Sequence, residues 1–172
     1  MRHANVALFV PNNGCPHACS FCSQKSITGQ SVQPTPEDVA AAAETALASL
    51  GRRSSSAEIA FFGGSFTAVE RGYMLSLLEA AVPYVRNGLF AGEFPDAIDP
   101  EILSLLHRYG VTTIELGAQS MDDRVLALNE RGHTADQVRT ASALIRARGF
   151  SLGLQMMTGL YGDTPEGAVK TA

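Results

Sequence analysis

Ala4-Asn5-Val6-Ala7-Leu8-Phe9-Val10, Pro11-Asn12-Asn13-Gly14, Cys15-Pro16-His17-Ala18-Cys19-Ser20-Phe21-Cys22 and Thr35-Pro36-Glu37-Asp38 set out a strand, a breaker, a loop holding every cysteine, and a helix start. The apolar run 4–10, stopped by proline, asparagine and glycine, reads as a strand. Thr35 stands as N-cap, Pro36 in the first turn, and the two acids where the helix dipole is positive. Val39, Ala43, Ala46, Leu47 and Leu50 recur on one face, and Gly51 suits the stop.

Outward from this unit the same beat repeats. Glu58-Ile59-Ala60-Phe61-Phe62 reads as a second strand ending in Gly63-Gly64-Ser65. Thr67-Ala68-Val69-Glu70 has capping-box spacing ahead of a helix to about Val85. Asp99-Pro100-Glu101 opens a helix with Ile102, Leu105, Leu106 and Tyr109 inward and Gly110 as its stop. Thr113 to Gly117 is a strand; Ser120-Met121-Asp122-Asp123 caps a short helix and Thr134-Ala135-Asp136-Gln137 a longer one that turns at Gly149. Leu152 to Met157 is a strand, and Thr164-Pro165-Glu166 begins a last helix. Strands alternating with helices bury both faces in a parallel sheet that curls towards a β/α barrel or a doubly wound fold. The interval from Asn87 to Asp99 leaves little room for a third strand, and no sixth strand follows. The expected fold is therefore α/β, an incomplete, open parallel β/α barrel with a short third strand and its last strands absent. Residues 1–172 are expected to form one domain, a core shortened at its C-terminus.

Thirteen basic against seventeen acidic residues leave a formal charge of −4, and 45% of the chain is apolar. That composition excludes a disordered chain and argues against non-specific phosphate binding. No apolar run reaches the roughly 20 residues of a membrane helix, and no signal-peptide pattern precedes the first strand. A cytoplasmic protein with no membrane association is expected.

Cysteine is the informative residue. All three lie between positions 15 and 22, an odd number in one loop, unlike the spread pairs of a secreted scaffold. The C-x3-C-x2-C spacing follows a strand end, where β/α folds build active sites. Three thiolates at this spacing wrap a compact cluster, ligating three irons of a [4Fe-4S] cube and leaving the fourth to a small-molecule chelator. Zinc wants four protein ligands, and His17 lies two residues from both Cys15 and Cys19, which makes joint ligation awkward. Two further explanations compete with the cube: chance clustering of buried cysteines, and an ordinary four-cysteine cluster, for which the fourth thiol is missing.

The loop resembles the signature of the radical S-adenosylmethionine superfamily. Phe9-Val10-Pro11, Phe62-Gly63-Gly64-Ser65-Phe66-Thr67, Gly117-Ala118-Gln119-Ser120, Asn129-Glu130-Arg131-Gly132-His133-Thr134 and Met156-Met157-Thr158-Gly159-Leu160 narrow the resemblance. They are similar to the branch holding the elongator catalytic subunit and oxygen-independent coproporphyrinogen III oxidase. The resemblance implies that Cys15, Cys19 and Cys22 ligate a [4Fe-4S] cluster whose open iron chelates S-adenosyl-L-methionine. A one-electron donor of flavodoxin or ferredoxin type then drives reductive cleavage to a 5′-deoxyadenosyl radical, which removes a hydrogen atom from substrate. It also implies that Phe21 packs beside the adenine and that backbone carbonyls of Gly63, Gly64 and Ser65 receive the cofactor's ammonium. Gln119 supplies a polar contact, and Arg131 pairs with the carboxylate, a task suited to a bidentate guanidinium. Gln155 occupies the place where porphyrinogen-oxidase relatives carry an acid that holds the ribose hydroxyls. His133 is read as structural. tRNA modification, supported by residues 156–160 and Gly162-Asp163-Thr164, and porphyrinogen oxidation are the substrate classes the resemblance leaves open. A non-catalytic metal-binding or iron–sulfur scaffold is the reading from another class.

Overall fold

Leu8 and Val10 are buried while Ala7 is exposed and Phe9 half-buried, and this alternation seats β1 (Ala4–Val10) against a layer of helices. The structure, a computed structural model, describes residues 4–11, 15, 19–23, 29, 32–51, 54, 57–85, 98–172 and the backbone of 88–93. The expectations placed on Asn12 to Gly14, His17 and residues 94–97 lie outside the described residues.

After α1 (Pro36–Leu50) come β2 (Ala57–Gly63), a single 3-10 turn (Phe66–Ala68), α2 (Arg71–Ala81) and β3 (Gly88–Glu93). They are followed by α3 (Pro100–Arg108), β4 (Val111–Gln119), α4 (Asp123–Leu128), α5 (Ala135–Ala147), β5 (Ser151–Met156) and α6 (Pro165–Thr171). Among the described residues five strands pair in chain order, all parallel, with β1 and β5 at the edges. This is the open, partial barrel expected from the strand–helix beat. The interval from Asn87 to Asp99 does hold a strand: β3 has six residues and pairs on both sides, with two register shifts against β4. Among the described residues no helix is long and apolar enough to cross a membrane.

One face of the sheet makes the core. Leu8, Val10, Ile59, Phe61, Ile114 and Leu116 pack there with Val39, Leu77, Leu103 and Ile145 from the helices. Ile114 and Leu116 are fully buried, each worth at most about 1.5–3 kcal/mol of transfer free energy. In α3 the deepest residues are Leu103 and Leu106, whereas Ile102 is half-buried. In α1 the apolar face is narrower than its spacing implies: Val39 and Ala43 are buried, but Leu47 is exposed.

Two expected caps are corrected. Thr67 does not cap a helix, because it is buried within the 3-10 turn. Instead Glu70 is the N-cap of α2, its carboxylate accepting from the amides of Gly72 at 2.8 Å and Tyr73 at 2.7 Å, and that helix ends at Ala81. Ser120 is almost fully buried and its hydroxyl accepts from Asp122 N, while Asp122 itself caps α4. In both places a neighbouring acid, Glu70 or Asp122, satisfies the free amides of the first turn. The capping boxes at Thr35 with Asp38, and at Thr134 with Gln137, are formed in full.

Candidate active site

The cysteine loop, the Gly63–Ser65 turn and Gln119 lie at the carboxyl ends of the strands, where a parallel sheet leaves its loops free to carry chemistry. Val10 ends β1 opposite Gly63, which ends β2. Gly63 has φ 128°, and a Cβ there would fall inside the contact radius of the Val10 carbonyl oxygen. The same oxygen accepts from Gly64 N at 3.1 Å. The first glycine of the turn is therefore demanded by close approach of β1 itself. The chain then buries Ser65 completely and stacks Phe66 on Phe61 at 4.7 Å between ring centroids.

The cysteine loop returns to this turn. Cys19 is buried, Cys15 partly buried and Cys22 exposed, and none is in a disulfide. Burial pushes the Cys15 thiol above its usual range; a backbone hydrogen bond from Ser65 opposes this most, the nearby Cys22 and Cys19 add to it, and Arg131 opposes it further. The three sulfurs, Ser65 and Arg131 thus share one electrostatic neighbourhood. Phe21 is half-buried in the turn closed by Cys22 N donating to Cys19 O at 3.0 Å.

Residues 129–134 clamp the loop from the other side. Ser20 N donates to Asn129 O at 3.2 Å. The Asn129 amide donates to Val125 O and Tyr161 O and its oxygen accepts from Tyr161 N, tying the end of α4 to the loop after β5. Arg131, 6% exposed, reaches Cys19 Sγ with Nη1 at 3.2 Å and donates from Nη2 to Gly117 O at 2.5 Å. A Cβ on Gly117 would stand 2.6 Å from that same Nη2, so the glycine is the cradle in which the guanidinium lies. His133 Nε2 sits 3.3 Å from Ala118 O, joining this segment to β4.

The end of β4 is irregular. The register with β5 shifts between Leu116 and Gln119, and Gln119 adopts φ 63°, a left-handed conformation costly for a residue with a side chain. Its amide nitrogen lies beside Gly117, 2.8 Å from where a Cβ would be. Lower on the sheet, Gln155 donates to Glu115 Oε2 at 2.8 Å. Among the described residues no three His, Cys, Asp or Glu side chains are arranged to hold a metal ion.

The profile of the Radical SAM superfamily matches residues 9–172. The chain belongs to the radical S-adenosylmethionine superfamily of enzymes. A tRNA uridine(34) acetyltransferase of Dehalococcoides mccartyi is 24% identical over 196 aligned residues, covering 94% of this chain and 42% of that protein. The structure of Elp3 from the archaeon Methanocaldococcus infernus superposes with a TM-score of 0.75 at 19% identity, over 98% of this chain and 41% of that one. Coproporphyrinogen III oxidase (HemN) of Escherichia coli gives 0.67 at 17% identity, over 98% and 40%. These solved structures share the fold, and the chain spans about two fifths of the length of each relative.

Within this radical SAM core, the donor chemistry fits an iron–sulfur cluster. The three cysteines are free thiols of one short loop, and a cation stands beside the buried Cys19 to balance the charge of a thiolate ligand. Arg131 meets Cys19, Cys22 closes a turn on Cys19, Ser65 and Cys15 interact through a backbone hydrogen bond, and Gly63 and Gly64 close the β1–β2 side. Gln119 joins them through Gly117. Gln155 lies farther down β5, on a strand face it shares with Gly153, and its amide is satisfied by Glu115. Glu115 is the residue missed from the sequence. A charge inside Thr113-Ile114-Glu115-Leu116 is an anomaly in a strand covered on both faces, and that anomaly was its signal.

Proposed function

We propose that this chain is the cofactor-cleaving core of a radical S-adenosylmethionine enzyme that modifies tRNA, with Cys15, Cys19 and Cys22 as the ligands of a 4Fe-4S cluster. The observation that carries the reading is the cysteine loop tied down at the carboxyl end of an open parallel sheet, with the buried Arg131 guanidinium on Cys19 Sγ and the Cys19–Cys22 turn closed by its own backbone bond. When bound, the cluster and S-adenosylmethionine supply a primary carbon radical able to take a hydrogen atom from an unactivated C–H bond.

This chain's residues position and shield. Arg131 presents a fixed, desolvated guanidinium to a carboxylate arriving at the sulfurs. The turn at Gly63, Gly64 and Ser65 offers backbone carbonyls to an ammonium group, and Phe21 offers a ring face to adenine. Gln119, held in a left-handed conformation, and Gln155, held by Glu115, offer amides to the nucleoside. Buried Phe66, Ala118 and Ser65 exclude water below the site. Electrons come from a flavodoxin- or ferredoxin-type donor. The tRNA branch is favoured over porphyrinogen oxidation by the acetyltransferase relative, which aligns over nearly the whole chain, and by an amide rather than an acid at Gln155.

Anaerobic reconstitution tests the reading. The chain takes up about four irons, and the Cys19→Ala chain does not assemble the cluster. With reductant it releases 5′-deoxyadenosine from S-adenosylmethionine. One equivalent of zinc with no cleavage supports a metal-binding scaffold instead.

A further inference from the structure

Glu115 and Gln155 stand on the sheet face opposite the core. Their neighbours Ile114 and Leu116 are fully buried in the helix-side cluster, so the intervening carboxylate projects the other way. Glu115 is in register with Gly153, and a Cβ on that glycine would lie 2.8 Å from Glu115 Cγ. The glycine therefore leaves the space that the acid occupies. Two residues on, Gln155 completes the pair with its Nε2 donating to Glu115 Oε2 at 2.8 Å. Gly117, two residues after Glu115 on the same strand, carries the Arg131 guanidinium over it.

A carboxylate accepts hydrogen bonds and cannot donate them, whereas an amide has one end of each kind. Pairing with Glu115 engages one N–H of the Gln155 amide and fixes its orientation, NH2 towards β4, which turns Oε1 away from Glu115 as the acceptor presented to a ligand. We propose that Glu115 is a positioning residue that orients Gln155 so that its Oε1 accepts from the vicinal hydroxyls of the cofactor's ribose. The pair then divides between two side chains what a single acid at position 155 would do alone. The negative charge sits one strand away from the sugar, on β4, and the oxygen that meets the hydroxyls is an amide oxygen. The inference rests on the proposed cofactor reading.

Without an acceptor at position 115, Gln155 is free to turn, and binding a diol forces its NH2 group into a place with no partner. Leaving such a half-buried donor unsatisfied weakens binding by about tenfold. The test measures dissociation constants of iron-loaded protein, anaerobically and without reductant, for S-adenosylmethionine and for its 2′-deoxy analogue. Glu115→Leu loses about tenfold for S-adenosylmethionine and much less for the deoxy analogue, with iron content unchanged. Glu115→Gln, which keeps an acceptor, stays within about threefold of wild type. The swapped pair, Glu115→Gln with Gln155→Glu, restores an acceptor on β5 and also stays within about threefold, which guards against a Glu115→Leu chain that fails to fold. The inference is overturned if Glu115→Leu binds as wild type does, if it loses both ligands equally, or if the swapped pair loses about tenfold. A wild-type chain that holds iron yet binds no S-adenosylmethionine overturns the cofactor reading and this inference together; normal wild-type binding beside an indifferent Glu115→Leu removes the inference alone.

Discussion

Gly117→Ala is a test of the cradle that holds Arg131. Gly117 sits in β4 at a negative φ, so alanine is conformationally welcome there and by itself gains about 0.5–1 kcal/mol in unfolded-state entropy. Against this, the new methyl stands 2.6 Å from Arg131 Nη2 and 2.8 Å from Gln119 Nε2. The guanidinium is 6% exposed and cannot swing into water, so it gives up its bonds to Gly117 O and Cys19 Sγ. Hydrogen bonds from a charged donor are worth about 1.5–3 kcal/mol each, and the steric term outweighs the entropic gain. The net expectation is a loss of about 2–4 kcal/mol. Urea unfolding of the reduced, metal-free chain reads it as a drop in midpoint of about 1–2 M at a slope of about 2 kcal/mol/M. The decisive comparison is with Arg131→Met, which removes the nearer and buried obstacle and leaves only the end of the half-buried Gln119 side chain, which can turn aside. In that background Gly117→Ala becomes neutral or slightly stabilising, a coupling of about 2 kcal/mol or more. Equal destabilisation in both backgrounds, or none in either, refutes the account of the glycine as a guanidinium cradle.

Gly63→Ala meets the Val10 carbonyl and holds φ 128°, so it parts the ends of β1 and β2 and costs about 4 kcal/mol or more, seen as a large fall in thermal midpoint whether or not iron is present. Asn129→Ala removes three hydrogen bonds from a side chain 2% exposed and costs about 2–4 kcal/mol; because these bonds fix the segment whose backbone carbonyl holds Ser20 N, Cys19 becomes faster to alkylate in the metal-free chain. In the wild-type chain alkylation followed by mass mapping finds Cys22 modified first and Cys19 last, following exposure.

Much of the architecture was legible because its signals are local. The breaker at Pro11, the N-caps at Thr35, Asp99 and Thr134, and the alternation of apolar runs each depend on residues a few positions apart, and strand order followed chain order. The cysteine spacing is likewise local. What failed was local grammar overruled by burial: Thr67 and Ser120 have the chemistry of caps, but the fold buries both and leaves capping to Glu70 and Asp122. What was illegible depends on register. Gln155 reads alone as a costly amide in an apolar strand, and only the pairing of β4 with β5 brings Glu115, 40 residues earlier, to satisfy it.

The same distinction separates two kinds of glycine that a motif treats alike. Gly63 and Gly117 both sit in glycine-containing strand ends, and both invite the reading that a ligand needs close approach to the backbone. Yet the space at the first is filled by the carbonyl of Val10 and at the second by the guanidinium of Arg131. Each glycine serves a protein atom first, and that atom belongs to the machinery placing the site: Val10 ends the strand that launches the cysteine loop, and Arg131 touches Cys19. The site therefore gains its precision from strand ends packed tightly enough to exclude a methyl group. Substitutions at these glycines are expected to act on stability before they act on any ligand, whereas Glu115 and Gln155, off the core face and away from the cysteine loop, are expected to act on ligand affinity first.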